Sequence, residues 1–142
     1  MEYRNPVPTV DLIIRLPDGV LLIERKNPPY GYALPGGFVD EWERIEKAAI
    51  REAHEETGLS ITLDELFYVY SDPTRDPRRH TMSVVFLAHA SEEPVAGDDA
   101  AAVKIVPESE LASYDLAFDH GRIIAEYLNY RKTGKKPLHQ DY

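Results

Sequence analysis

The chain is organised around residues 37–59, which read Gly-Phe-Val-Asp-Glu-Trp-Glu-Arg-Ile-Glu-Lys-Ala-Ala-Ile-Arg-Glu-Ala-His-Glu-Glu-Thr-Gly-Leu. Residues three and four apart share one face of a helix, so Glu52, Glu55 and Glu56 crowd together. Two negative charges about 4 Å apart repel by roughly 4 kcal/mol at a surface-like dielectric constant. The cluster is therefore tolerable only if its carboxylates are protonated, spread into water or neutralised by a cation.

A divalent metal ion would neutralise this cluster. Magnesium prefers carboxylate oxygens and usually shares its coordination with a substrate phosphate. The alternative interpretation is a solvated helix face. The preceding Leu34-Pro35-Gly36-Gly37 favours the metal, because its glycines let the backbone approach a ligand and its carbonyls are available to a cation. We therefore expect phosphate chemistry with Mg²⁺ as the cofactor and Mn²⁺ as the alternative ion.

The same stretch resembles the Nudix box. That pattern runs Gly, five residues, Glu, seven residues, Arg-Glu, an apolar residue, any residue, Glu-Glu, any residue, Gly and an apolar residue. Every fixed position is met, by Gly37, Glu43, Arg51, Glu52, Ala53, Glu55, Glu56, Gly58 and Leu59. A chance match at so many fixed spacings is improbable. The resemblance implies an α+β fold, a three-layer α/β/α sandwich with a mixed β-sheet.

The resemblance also implies an activity. The substrate is a nucleoside diphosphate linked to another moiety, and a water hydrolyses it by attacking one phosphorus. The implied metal ligands are three carboxylates and one backbone carbonyl, those of Glu52, Glu55, Glu56 and Gly36. Glu52 would also orient or deprotonate the water, and Arg51 would position the carboxylate of Glu52 or Glu43. Some family members place the general base on a later loop. Asp99 or Asp98 is available there, with a solvated acidic loop as the alternative.

Composition places the chain in a broad class. Its 142 residues predict a single domain, and it has no cysteine for disulfides or thiolate catalysis. Neither an apolar leader segment nor a run long enough to span a bilayer is present, so we expect a cytoplasmic protein without a membrane partner. The net charge of -9 argues against nucleic acid as a partner. It also predicts strict metal dependence, since an anionic substrate would otherwise be repelled.

Apolar periodicity predicts the order of the secondary structure. A hairpin comes first, and the box helix follows over residues 41–57 with Asp40 as its N-cap. Glu43 has capping-box spacing, which competes with a role in the catalytic network. The final helix should cover the second face of the sheet. The other predicted segments are strands at residues 10–16, 20–26, 61–71, 81–90 and 100–106, a helix at 119–131 and a polar tail at 135–142 of a kind often left disordered.

An arginine-rich loop is the first candidate for substrate binding. Residues 72–80 hold Arg75, Arg78 and Arg79 in an otherwise acidic chain. The planar guanidinium group matches phosphate and carboxylate oxygens, which suggests contacts to substrate phosphates or a terminal sugar. The alternative is that these arginines are solvated or pair with neighbouring aspartates.

A second loop, residues 27–32, reads as irregular structure and offers Tyr30 and Tyr32. Either tyrosine would stack on a base or simply pack the loop. Together with residues 71–78 and 116–120, this loop resembles a group of small prokaryotic ADP-ribose pyrophosphatases, whose reaction gives AMP and ribose 5-phosphate. A small-molecule nucleotide is therefore the expected partner, and relatives of this kind are commonly homodimers.

Two other functions stay open. One is a house-cleaning pyrophosphatase acting on (d)NTPs or oxidised nucleotides, and the other is a Nudix module that senses ADP-ribose without cleaving it. Two residues depart from the family pattern and bear on substrate preference more than on activity. Trp42 stands where a small residue, often glycine, is common, and Ile105 stands where an aromatic residue is frequent.

Overall fold

The computed structural model describes residues 2–97 and 100–140. The strands are β1 (Val7–Leu16), β2 (Gly19–Arg25), β3 (Gly31–Ala33), β4 (Gly36–Phe38), β5 (Thr62–Tyr70), β6 (Thr81–His89) and β7 (Ala100–Val106). The helices are α1 (Ile45–Thr57) and α2 (His120–Thr133), and a 3-10 helix covers Glu108–Ser113. Within the described residues the strands form one mixed sheet of order β3-β2-β1-β6-β5, with β4 on β1 and β7 on β2. None of these helices has the length and apolarity needed to cross a lipid bilayer.

Strand β1 is central because three strands pair with it. Strand β6 runs parallel to β1 over its whole length, while β2 and β4 are antiparallel to it. Leu12, Ile13 and Ile14 are fully buried, as expected for a strand that is covered on both faces. Asp11 interrupts this apolar run and is itself buried, at the point where β1 pairs with Gly36 of β4.

The two helices cover opposite faces of the sheet. Ala48, Ala49 and Ala53 of α1 pack in one hydrophobic cluster with alternate residues of β1 and β6. Their small side chains let the helix approach the strands closely. Ile123 and Tyr127 of α2 belong to a second cluster on the other side. The predicted three-layer α/β/α sandwich is therefore confirmed.

The predicted start of the box helix is wrong. Helix α1 begins at Ile45 rather than at residue 41, and Arg44 is the extended residue before its first turn. The chain cannot be helical at Trp42, whose φ of 70° lies in the left-handed region. Only half of the predicted capping box forms, since the Asp40 backbone N–H donates to Glu43 Oε1 at 3.0 Å while the Glu43 N–H donates to the Asp40 backbone carbonyl, and Arg44 rather than Asp40 is the N-cap. That contact closes a turn in front of the helix.

Two other segments differ from expectation. Part of the predicted irregular loop, Gly31–Ala33, pairs with β2 as strand β3. The tail is docked in its described part, residues 135–140. The His139 ring lies 4.7 Å from that of Tyr68, and its Nε2 lies 2.9 Å from Glu126 Oε1. Lys136 and His139 of the predicted polar tail therefore find partners on β5 and α2.

Trp42 gives a test of local strain. A left-handed φ costs a bulky residue on the order of 1–3 kcal/mol, whereas glycine adopts it freely. The indole is 96% exposed, so its removal sacrifices little packing. We expect Trp42→Gly to raise the free energy of unfolding by about 1 kcal/mol, measured by urea denaturation followed by circular dichroism. The matched control, Trp42→Ala, keeps the backbone strain and should leave stability close to wild type. Equal effects of the two variants would contradict the strain argument.

Candidate active site

A cavity of about 460 Å³ opens beside strand β4 and helix α1. The arginine-rich loop and the start of α2 complete its walls. Its acidic lining residues are Asp11, Asp40, Glu52, Glu56 and Asp76, and its basic ones are Arg25, Arg75, Arg78 and His120. The volume falls in the range of small-molecule sites. Carboxylates and guanidinium groups thus share one concave space, although the chain as a whole is acidic.

Arg51 links the carboxylates of the box. Its guanidinium donates to both oxygens of Glu43 at 2.7 and 2.8 Å, to Glu52 Oε1 at 2.8 Å and to Glu55 Oε2 at 3.2 Å. It also donates to the Phe38 carbonyl at 3.1 Å. The hydrogen bonds from Arg51 lower the pKa of Glu43 to about 2. Arg51 does not itself line the cavity. It therefore orients the acidic side chains from the side away from the cavity.

Glu56 is the most constrained of these carboxylates. It is 7% exposed, and among the described residues its buried Oε2 has no hydrogen-bond partner. Burial, followed by the charge of Glu52, raises the pKa of Glu56 well above its ordinary value. Burial also raises the pKa of Glu52, against the lowering effect of Arg51. A buried carboxylate without a partner is unfavourable, so this oxygen is suited to bind a cation.

The turn at Gly36 and Gly37, called the glycine turn below, brings backbone atoms against these carboxylates. A Cβ at Gly37 would lie 2.5 Å from Glu52 Cδ, and one at Gly36 would overlap the Val10 carbonyl oxygen. Only glycine allows such close approach at both positions. The Leu12 backbone N–H donates to the Pro35 carbonyl at 2.9 Å and ties the turn to β1.

Asp11 and His120 form a second buried group at the cavity. Asp11 Oδ2 accepts a hydrogen bond from Ser83 Oγ, and His120 Nε2 lies 3.4 Å from Asp11 Oδ1. Burial raises the pKa of Asp11, but the contacts with His120 and Arg75 outweigh it, and the net shift is downward. Sequence reasoning missed Asp11 and included His120 only within residues 116–120, which resemble the ADP-ribose pyrophosphatases. The one available signal was a charged residue inside the apolar run of β1.

Arg75 is fixed by protein groups. Its guanidinium donates to both oxygens of Asp119 at 2.9 and 2.7 Å and to Thr81 Oγ1 at 2.6 Å, and Nη2 lies 3.5 Å from Asp11 Oδ2. Its side chain is 3% exposed. Arg75 therefore joins the arginine-rich loop to β1, β6 and α2.

Arg78 and Arg25 present their charges to the cavity. The guanidinium carbons of Arg25 and Arg78 lie 4.8 and 5.2 Å from the Phe118 ring centre, and Arg78 also pairs with Asp76 at 2.9 Å. Phe118 has a φ of 58°, a left-handed conformation that is uncommon for an aromatic residue. Sequence reasoning missed Arg25, because nothing in strand β2 indicates that its last residue reaches the site.

Residues 5–127, most of the chain, match the NUDIX domain. This chain belongs to the Nudix family of hydrolases. An ADP-ribose pyrophosphatase of Methanocaldococcus jannaschii is 44% identical over 132 residues, which are 91% of this chain and 77% of that protein. The box recognised in the sequence is therefore part of a family match that extends far beyond it.

Solved structures agree with this assignment and confirm the predicted Nudix fold. The NUDIX domain of Shewanella oneidensis NrtR, complexed with ADP ribose, is 28% identical with a TM-score of 0.80, over 92% of this chain and 91% of that one. A bifunctional NMN adenylyltransferase/ADP ribose pyrophosphatase from Francisella tularensis, complexed with AMP and a Mn ion, is 30% identical with a TM-score of 0.81. That match covers 91% of this chain and 43% of the other.

The Nudix residues fit a divalent cation by their chemistry. Glu52, Glu55, Glu56 and the Gly36 carbonyl are hard oxygen donors of the kind that Mg²⁺ and Mn²⁺ prefer. The buried Glu56 oxygen needs a positive partner. Within residues 2–97 and 100–140, no three His, Asp or Glu side chains are placed to hold an ion together, and Glu52 and Glu55 accept hydrogen bonds from Arg51.

Several predicted site residues lie away from the cavity. Tyr30 is 70% exposed, and Tyr32 packs edge-on against Tyr114 at 5.5 Å between ring centres. Arg79 is exposed and does not line the cavity. Asp99 lies outside the described residues. Of the predicted substrate-binding residues, only Arg75 and Arg78 line the cavity, together with Arg25 and His120.

Glu56 links stability to cation binding. The folded metal-free protein has a raised pKa at Glu56 and keeps that proton where the unfolded chain loses it. The free energy of unfolding should therefore fall as the pH rises from the ordinary carboxyl pKa to the raised pKa of about 9. At pH 8 without a cation we expect Glu56→Gln to raise the melting temperature by about 2–4 °C, equivalent to about 1 kcal/mol, because a neutral amide replaces a buried carboxyl whose proton the folded state retains at a cost in stability. Excess Mg²⁺ at about 100 times its Kd should stabilise the wild type by about 2.7 kcal/mol and the variant far less.

Differential scanning fluorimetry in EDTA and in Mg²⁺ checks both expectations. Glu46→Gln is the matched control, since Glu46 is an exposed residue of the same helix. A variant that is less stable than wild type in EDTA, yet still responds fully to Mg²⁺, would contradict the assignment of Glu56.

Proposed function

We propose that this chain hydrolyses the diphosphate of ADP-ribose and releases AMP and ribose 5-phosphate. The observation that carries the proposal is one cavity lined both by the Nudix carboxylates Glu52 and Glu56 and by the guanidinium groups of Arg25 and Arg78. A diphosphate needs positive charge on both of its phosphates. The arginine pair supplies part of that charge, and a cation on the carboxylates supplies the rest. The pyrophosphatase from M. jannaschii supports ADP-ribose as the substrate.

Glu52, Glu55, Glu56 and the Gly36 carbonyl are our proposed ligands for the cation, with Mg²⁺ as the preferred ion and Mn²⁺ as a substitute. When bound, the cation would neutralise phosphate charge and lower the pKa of a coordinated water. Arg51 would hold Glu52 and Glu55 in orientation through the hydrogen bonds described above. Glu43 would act through Arg51, since it accepts two of its N–H groups.

The reaction consumes one water and needs no covalent intermediate. The water oxygen forms a new bond to one phosphorus, and the bond between that phosphorus and the bridging oxygen breaks. The bridging oxygen leaves with the other phosphate, and the water gives up one proton. Glu52 is our candidate for orienting the water and accepting that proton, because it lines the cavity and its other contacts hold it in place. Asp99 stays a prediction for this role.

The arginines divide into two roles. Arg25 and Arg78 would contact substrate phosphates, since they line the cavity and are held against Phe118. Arg75 would act as a structural residue, because Asp119, Thr81 and Asp11 occupy its guanidinium. Contacts of Tyr30, Tyr32 and Arg79 with the substrate stay predictions. Homodimerisation and a cytoplasmic location stay predictions as well.

A substrate panel tests the function. Purified protein with Mg²⁺ is offered ADP-ribose, 8-oxo-dGTP and unmodified dNTPs, and the products are separated by chromatography. We expect AMP and ribose 5-phosphate from ADP-ribose at the highest kcat/KM. Preferential cleavage of a triphosphate would replace the proposal with a house-cleaning pyrophosphatase. Tight ADP-ribose binding without turnover would replace it with a sensing module.

Arg78→Lys tests the phosphate contact. Lysine keeps the charge but loses the planar fork, so we expect the KM for ADP-ribose to rise about tenfold, the equivalent of one charge-assisted hydrogen bond, with a smaller change in kcat. Arg122→Lys, an exposed substitution on α2, is the matched control. Equal KM values for Arg78→Lys and wild type would exclude Arg78 from the phosphate contact.

A further inference from the structure

His120 connects α2 to the glycine turn of the site. It is the first residue of α2 and is 3% exposed. Its Nδ1 accepts a hydrogen bond from the Leu34 backbone N–H at 3.0 Å, across 86 positions of sequence. Leu34 lies two residues before Gly36, whose carbonyl is a proposed cation ligand. The imidazole is therefore hydrogen-bonded to the backbone that leads into the glycine turn.

The hydrogen bond from Leu34 fixes the tautomer of His120. Because Nδ1 accepts, the proton is on Nε2, which lies 3.4 Å from Asp11 Oδ1. Asp11 is the β1 partner of Gly36, and its Oδ1 is among the atoms that a Cβ at Gly36 would strike. His120 is therefore connected to the glycine turn in two ways. It hydrogen-bonds to Leu34, and it lies against Asp11, which is beside Gly36.

The rest of the network holds His120 itself in place. Asp119, the residue before it, accepts two hydrogen bonds from Arg75. Arg75 also donates to Thr81 of β6, and the His120 ring lies 5.1 Å from that of Phe118. The first turn of α2 is thus fastened to the sheet on one side of the molecule. The box helix α1 meets the same glycine turn from the opposite face of the sheet.

We infer that His120 is a positioning residue, whose Nδ1 holds the Leu34 backbone so that the Gly36 carbonyl and the box carboxylates bind one cation. This inference deepens the proposed function and rests on its choice of Gly36 as a ligand. Groups that orient metal ligands without touching the metal typically change metal affinity by about 10–100-fold when they are removed. No group other than the imidazole accepts from the Leu34 N–H in the part of the chain that the structure describes.

Two nearly isosteric variants separate this role from simple packing. His120→Asn keeps a carbonyl oxygen that can accept from the Leu34 N–H, while His120→Leu fills similar space without an acceptor. Both lose the ring contact with Phe118 and the imidazole Nε2–H that faces Asp11. The control is His89→Asn, at the opposite end of β6, where His89 pairs with Asp64 on the surface.

The primary measurement is Mn²⁺ binding in the absence of substrate, by electron paramagnetic resonance of the free ion. We expect His120→Leu to weaken Mn²⁺ at least tenfold relative to wild type and His120→Asn to stay within about threefold. Equal affinities for the Asn and Leu variants, or wild-type affinity in His120→Leu, would overturn the inference.

Amide hydrogen exchange of a peptide covering residues 31–38 gives a second readout that needs neither metal nor activity. Exchange of the Leu34 amide should be fast in His120→Leu and slow in His120→Asn and His89→Asn. Equal protection in the Leu and Asn variants would count against the inference even if one variant is unstable. A wild type that binds Mn²⁺ as expected but leaves ADP-ribose intact would refute the proposed function alone.

Discussion

The buried carboxylate of Glu56 is the constraint on which the site depends. Its Oε2 is removed from water without a hydrogen-bond partner among the described residues, and the charge of Glu52 adds to the cost. A fold selected only for stability would place an apolar or paired residue there. The protein therefore carries an unfavourable group where a divalent cation can make it favourable, a trade of stability for function that is common at active sites.

Other features of the fold accommodate that group. The small side chains of α1 let the helix lie close to the sheet, and Gly36 and Gly37 let backbone approach the carboxylates. Arg51 neutralises the acidic cluster from the side away from the cavity, with hydrogen bonds to Glu43, Glu52 and Glu55. The net charge of -9 is thereby offset locally, and the cavity keeps positive groups for an anionic substrate.

Local sequence patterns were enough for the box, the five longer strands and the two-sided core, but not for the short strands β3 and β4. Helical spacing placed the glutamates on one face, and the apolar runs of β1 and β6 predicted a buried sheet. The helix start was missed because Trp42 adopts a left-handed conformation that its residue type does not suggest. Asp11 and His120 could not be paired from the sequence, since the contacts that join β1, β4 and the start of α2 are long-range.

The cation site can be tested most directly by crystallography. A crystal grown with Mn²⁺ and a non-hydrolysable ADP-ribose analogue, with data collected near the manganese absorption edge, would locate the ion by its anomalous signal. We expect a peak within coordination distance of Glu56 and of the Gly36 carbonyl, with a phosphate oxygen of the analogue on the same ion and Arg78 on the diphosphate. An ordered analogue with its manganese bound elsewhere, and Glu56 still unpartnered, would contradict it.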